Sequence, residues 1–249
     1  MEVPPSNKTE RRLILYQKLV QQFSEQLQLK QPPIGLAFVE NVPAGVAHST
    51  IGVPSACTFW RMAEQGIFYS TAEDHKQCPI GMMTMGFSMP ETDQQRAQEL
   101  VGTMASVQYF SSAEVSALPT VKKSHQSIVY GRLDQFPIQA DVILCIIDTQ
   151  QAMLVAEASG TMDWLQGGGQ STFGRPTCAV IPRTMQTGQM SMSFGCVGAR
   201  TYTGLTSSEL VLTIPVSEFA ALVERLQITL AANAALAPFH QQQKARFTA

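Results

Sequence analysis

The chain has 249 residues, of which 45% are hydrophobic and only 14% charged, with a formal net charge of −2. No basic run longer than Lys122-Lys123 is present, which argues against nucleic acid as a partner. The longest apolar run, residues 142–147, is too short to cross a bilayer, and residues 1–12 lack the apolar stretch of a secretory signal. A cytoplasmic protein with no transmembrane segment is therefore expected. So little charge for so much apolar surface predicts a large core and a homodimer that hides the remainder. Five cysteines in a cytosolic chain of this length read as packing groups, metal ligands or reactive thiols rather than as a disulfide scaffold.

In chain order, Leu13, Tyr16, Val20, Phe23 and Leu27 recur at helical spacing and predict a helix over residues 10–29, closed by Pro32-Pro33. Residues 34–39 read as a buried strand. Ser55 can cap a short helix that runs to Gln65 and stops at Gly66, and residues 67–71 have strand composition. Thr92-x-x-Gln95 and Ser111-x-x-Glu114 carry the capping-box pattern and predict two more helices. Residues 127–133 and 142–147 are the next strands, the second apolar throughout, as in a strand covered on both faces. Residues 160–176, which include Gly167-Gly168-Gly169, read as a mobile loop; no Gly-Lys-Ser/Thr follows to make them a phosphate cradle. Met190, Met192 and Phe194 alternate with Ser191 and Ser193 as in a strand, and residues 210–214 form another. Phe219, Leu222, Val223, Leu226 and Leu230 make the apolar face of a C-terminal helix, and the glutamine-rich residues 237–249 read as a loose tail.

Two segments share one order of residues. Cys57, Arg61, Gly66, Cys78, Gly81 and Gly86 correspond to Cys178, Arg183, Gly188, Cys196, Gly198 and Gly204. Each set follows an apolar strand. The pattern predicts one α/β domain (mixed α+β being the variant) made of two pseudo-symmetric strand–helix–strand halves. These span about residues 34–110 and 142–236 and pack as one globular unit. Sites in such folds favour the interface between units, and Cys196, in the turn from Gly195 to Gly198 directly after a strand, fits that place.

Three motifs stand out: Ala72-Glu73-Asp74-His75-x-x-Cys78-Pro79-Ile80-Gly81, Gly174-Arg175-Pro176-x-Cys178, and Ser193-Phe194-Gly195-Cys196-Val197-Gly198-x-Arg200-x-Tyr202-Thr203-Gly204. On these the chain resembles the uncharacterised family called domain of unknown function 169. The likeness runs from Pro32-Pro33-Ile34 to the C-terminal helix. The resemblance implies organisation and brings no settled activity.

Cys57, Cys78, Cys178 and Cys196 are the candidate metal ligands. Thiolates suit soft metals and iron–sulfur clusters, for which four are the usual complement. His75, three residues before Cys78, can support or replace one of them. No Cys-x-x-Cys spacing is present, so buried packing cysteines are the competing reading, and Cys145, inside the apolar strand, belongs to the core. Methionines gather beside both sites: Met82, Met83, Met85 and Met89 in one half, and Met185, Met190 and Met192 in the other. They can fill core or line a pocket for a flat apolar cofactor such as a tetrapyrrole, with Met83 and Met192 as contacts and Arg175 and Arg200 pairing its carboxylates. Arg61 and Arg183 read as structural ion pairs. Asp74 is expected to orient His75 or cap a turn, while His48, His125 and His240 carry no partner signature.

The expected function is a redox-related protein that holds a metal, iron–sulfur or tetrapyrrole-type ligand between its halves. One alternative is a cofactor-free thiol enzyme using Cys78 or Cys196 with His75 as base, helped by helix N-termini that favour thiolates at Cys57 and Cys178. The other is a non-catalytic ligand-binding or assembly protein.

Overall fold

The structure, a computed structural model, describes residues 8–160 and 171–247. Short apolar runs separated by turns produce the strands β1 (Ile34–Val39), β2 (Ala47–His48), β3 (Phe68–Thr71), β4 (Ser127–Arg132), β5 (Val142–Asp148), β6 (Ser171–Phe173), β7 (Ser191–Ser193) and β8 (Glu209–Pro215). They form one mixed sheet in the order β2-β3-β4-β1-β5-β8-β7-β6. The two central strands run antiparallel and meet over three residue pairs, Ile34↔Leu144, Gly35↔Ile143 and Leu36↔Val142.

Outward from that seam the two sides of the sheet read alike. β1 pairs antiparallel with β4 as β5 does with β8, β4 antiparallel with β3 as β8 does with β7, and β3 parallel with β2 as β7 does with β6. The registers match as well: exchanging the sides about Gly35 and Ile143 carries Tyr130 onto Thr213 and Ser70 onto Ser193.

Helices cover both faces. On one lie α1 (Lys8–Leu27), α7 (Thr149–Ser159) and α10 (Phe219–Ala245). The α1 stripe of Tyr16, Val20, Phe23 and Leu27 packs with Ala37, Val129, Ile143, Cys145 and Leu212 of the sheet and with Phe219 and Leu222 of α10. The other face carries the short helices α2 (Thr58–Ala63), α3 (Ala72–His75), α4 (Pro79–Thr84), α8 (Val180–Thr187) and α9 (Val197–Thr203). Its core holds Phe59, Trp60, Met82, Met85 and Ile181 against Leu36, Phe38, Tyr130, Leu144 and Val211. The apolar strand β5 is thus covered on both faces, as its sequence demands. Beyond α4 lie α5 (Glu91–Ser106) and α6 (Ser112–Ser116).

Several expectations change. α6 is capped by the Ser111–Glu114 box, but α5 begins at Glu91 with Pro90 as its N-cap, so Thr92 lies inside the first turn and forms no cap. Helix α7 was not expected; its start is an Asp148–Gln151 capping box. Residues 237–245 are helical rather than a loose tail, since α10 continues through Pro238 to Ala245, with residues 231–242 exposed. Its stretch Val216–Ala245 is long and apolar enough to cross a membrane by length and composition, yet its first turns are core. The glycine-rich loop reading falls mostly on residues 161–170, outside the described residues.

His75 is a core residue. Its ring is 1% exposed, 5.0 Å from each of the Phe59 and Phe87 rings, with Nε2 2.9 Å from Ser70 Oγ. Burial holds its pKa down to about 3, with the His125 charge pushing the same way and Asp74 opposing. The folded chain therefore keeps this imidazole neutral while the unfolded chain protonates it near 6.5, so stability falls as the pH drops from about 6.5 towards 3. The expected loss is roughly 1.4 kcal/mol per pH unit in that window. Urea unfolding of His75→Gln should show a flatter slope between about pH 6.5 and about pH 4.5; an unchanged slope assigns it to other groups. A backbone test lies at Gly86, whose φ of +83° is left-handed and where an added Cβ would run into the Val121 carbonyl oxygen. Gly86→Ala should cost at least about 2 kcal/mol, read as a lower thermal midpoint.

Candidate functional site

Four turns at the ends of β-strand and loop segments carry the cysteines to one place. In the first half, the Ser55 turn leads into α2 with Cys57 at its N-cap, the Cys57 N–H donating to Ser55 Oγ at 3.3 Å. Phe59 and Trp60 then anchor the helix, both essentially unexposed. Cys78 is the N-cap of α4, its N–H donating to the His75 carbonyl at 2.9 Å and Pro79 opening the helix. The glycine of Cys78-Pro79-Ile80-Gly81 is required by close approach: a Cβ there would lie 2.8 Å from both Cys78 Sγ and Ala56 Cβ.

In the second half, Cys178 sits in a 3-10 turn, Thr177–Ala179, that feeds α8. Cys196 is the N-cap of α9; its N–H donates to Thr177 Oγ1 at 2.6 Å, and its Sγ accepts from the Ala199 N–H at 3.4 Å. Gly195 supplies the left-handed bend before it, with φ +82°. Arg200 packs on that glycine and donates to the carbonyls of Phe194, Thr206 and Glu209, which fixes the turn.

All four cysteines line one cavity of about 510 Å³. Cys57 and Cys178 are buried, Cys78 and Cys196 half-buried. Burial pushes the Cys57 thiol well above its ordinary pKa, and the neighbouring thiols of Cys178, Cys78 and Cys196 push it further. Burial likewise raises Cys178, with Cys78 next in effect. The thiolate activation expected at these two positions is therefore overturned: desolvation outweighs any helix-end effect. The remaining walls are mainly apolar, among them Ile80, Leu100, Met104 and Val107, together with Tyr109, Phe110 and Tyr202. Arg175 lies over the Tyr109 and Phe110 rings, 4.8 Å and 5.2 Å from their centroids, and 3.8 Å from Glu114. Burial raises the Tyr109 pKa, and Cys196 adds to the effect.

Other candidates fall elsewhere. His75 is not among the cavity residues, and its depressed basicity makes it a poor base for Cys78. Asp74 bonds His48 rather than His75, at 2.8 Å, and caps its own turn through Thr71. Met192 lies in the core on the opposite face, because Ser191 and Ser193 take the cysteine side of β7. Met83 lines a neighbouring groove of about 880 Å³ between α4, α5 and α6. Arg200 is committed to backbone carbonyls, and Arg175 is not itself a cavity residue but stacks on two that are, Tyr109 and Phe110. Arg61 is structural: it pairs with Glu64 at 3.0 Å and with Glu209 at 3.7 Å, and donates to the Thr203 carbonyl at 2.9 Å. Cys145 belongs to the core of the α1 face, its thiol raised by burial.

Sequence reading missed Tyr109, Phe110 and Thr177. The adjacent aromatic pair 109–110 and the threonine preceding Cys178 were the available signals.

The donor set suits a soft metal in kind. Among the described residues, however, no three Cys, His, Asp or Glu side chains are placed to hold one metal ion together. The four thiols share one cavity and lie near enough for Cys178, Cys78 and Cys196 each to raise the Cys57 pKa.

No curated protein and no solved structure matches the chain. A family model, described as "Uncharacterised ArCR", matches residues 22–225. On that match the chain belongs to the family domain of unknown function 169.

Proposed function

We propose that the protein binds a thiophilic metal centre, as an ion, an iron–sulfur unit or a tetrapyrrole-type cofactor, in the cavity between its halves and serves a redox-related role. The observation that carries this reading is that the four cysteines, two from each half, line one cavity although they are far apart in sequence. Packing alone does not require such convergence. Cys57 and Cys178 would form the dry floor and Cys78 and Cys196 the rim, while Arg175 would meet an anionic edge of a cofactor. A bound soft metal would supply the Lewis-acid or electron-transfer chemistry.

One observation favours a thiol enzyme as the second reading. Cys196 is half-exposed at the cavity, and its sulfur accepts the Ala199 backbone N–H at the start of α9. In that reading the attacking group is Cys196 itself, and His75 is not its base.

The first reading is tested by anaerobic titration with cadmium or cobalt, following thiolate-to-metal absorption. Cys57→Ser and Cys196→Ser should each weaken binding at least about tenfold, or ~1.4 kcal/mol. Because the buried thiols are protonated in the free protein, binding should release protons and tighten as the pH rises. A protein that stays colourless and metal-free, with one fast-alkylating thiol lost in Cys196→Ser, would replace the first reading by the second.

A further inference from the structure

We infer that the ligand of the four-cysteine cavity carries an apolar organic body beside its thiophilic centre, and that α5 is the wall built to cover that body. The inference rests on the thiol–ligand reading above and goes on to the shape of the ligand.

Helix α5 is sixteen residues long, yet none of its residues is buried. It does possess an apolar stripe, Ala97, Leu100, Val101 and Met104, at the spacing that normally packs into a core. Here the stripe faces empty space on both sides. Leu100 and Met104, with Val107 just beyond the helix, overhang the cysteine cavity, and Ala97 and Val101 overhang the neighbouring groove. Protein interiors are close-packed, and an apolar wall facing a void lacks the contacts that would hold it. A ligand with an apolar surface supplies those contacts.

The opposite wall sets the other requirement. It presents four sulfurs, and among the described residues none that lines the cavity is charged. A hydrated ion or an oxyanion would meet no counter-charge there. The volume agrees: about 510 Å³ is in the range of pockets for organic ligands, whereas a water takes up only about 30 Å³. A bare ion would leave most of this space empty. The species that satisfies both walls is a soft metal or metalloid bearing apolar organic groups.

Phenylarsine oxide and arsenite are matched probes, with the same thiophilic atom and with or without an apolar ring. Phenylarsine oxide reacts with two thiols: two As–S bonds form, the As–O bond is broken, and the two thiol protons leave with the oxygen as water. Arsenic keeps its oxidation state, so no oxidant or reductant is needed. Binding of each probe is read as protection of the cysteines from alkylation, by mass spectrometry of the intact chain. The wild-type protein should take up one phenylarsine oxide. The variant Leu100→Gln/Met104→Gln should bind phenylarsine oxide at least tenfold more weakly while its arsenite binding changes less than twofold. Neither residue is buried, and thermal melting checks the fold; should the double variant melt early, Val107→Gln, at a position 69% exposed, replaces it. Equal losses for both probes, or no loss for either, overturn the inference and leave the thiol–ligand reading standing. Failure of both probes to protect any cysteine of the wild-type protein overturns that reading, and the inference with it.

Discussion

The arrangement of the cysteine face depends on the register of a seam three residue pairs long between β1 and β5. Side chains alternate along a strand, so a slip of one residue would turn every face over. Leu36 and Leu144 face the short helices that carry the cysteines, whereas Ala37 and Cys145, one residue along, face α1, α7 and α10. Cys145 shows the consequence: a fifth thiol, placed in the strand that forms the seam, ends in the other core. Few hydrogen bonds fix so short a seam, and neighbouring segments reinforce it. Asp141 donates its N–H to the Leu36 carbonyl at 2.8 Å and accepts the Phe38 N–H on its carboxylate at 2.8 Å. Phe136 presses so closely on Gly35 that a Cβ there would lie 3.0 Å from its ring.

Beneath the cavity the core tolerates features that interiors usually avoid. Tyr130 is fully buried, its hydroxyl makes no hydrogen bond among the described residues, and its pKa is raised by burial and further by Cys57 and Cys178. Ser70 lies near enough to lower it but bonds His75 instead. An unmade buried hydrogen bond costs about 1–3 kcal/mol. On the other side of the seam the matching position is Thr213, which is fully satisfied by Thr184, the Val180 carbonyl and the Ser191 carbonyl. The large side chains of Phe38, Phe59 and Trp60 offset the deficit in the first half.

What could be read from sequence follows from what periodicity encodes. Helix α1 and strands β1, β4, β5 and β8 carry long apolar stripes or runs, and their positions come out within a few residues. Helix α7 buries mainly small side chains, Ala152, Val155 and Ala158, and its stripe is faint. The tail of α10 was lost to its glutamines and Pro238, although alanine, leucine and glutamine are good helix formers. Convergence of the cysteines was legible because their places relative to strand ends repeat between the segments. The roles of Met192, Arg200 and His75 were not legible. A single alternation along β7 decides the first, and packing among residues distant in sequence decides the others.

The matching of the two sides stops at the cover of the cavity. After α4 the first half inserts residues 85–126, with α5 and α6, before it returns to the sheet at β4. The second half passes from α9 to β8 through residues 204–208 alone. One half therefore supplies the wall opposite the sulfurs, and the other supplies Arg175, which stacks on Tyr109 and Phe110 of that insertion and faces Glu114. The sheet thus sets where the four sulfurs stand, and the insertion of one half alone sets the wall of Leu100, Met104 and Val107 that shares their cavity.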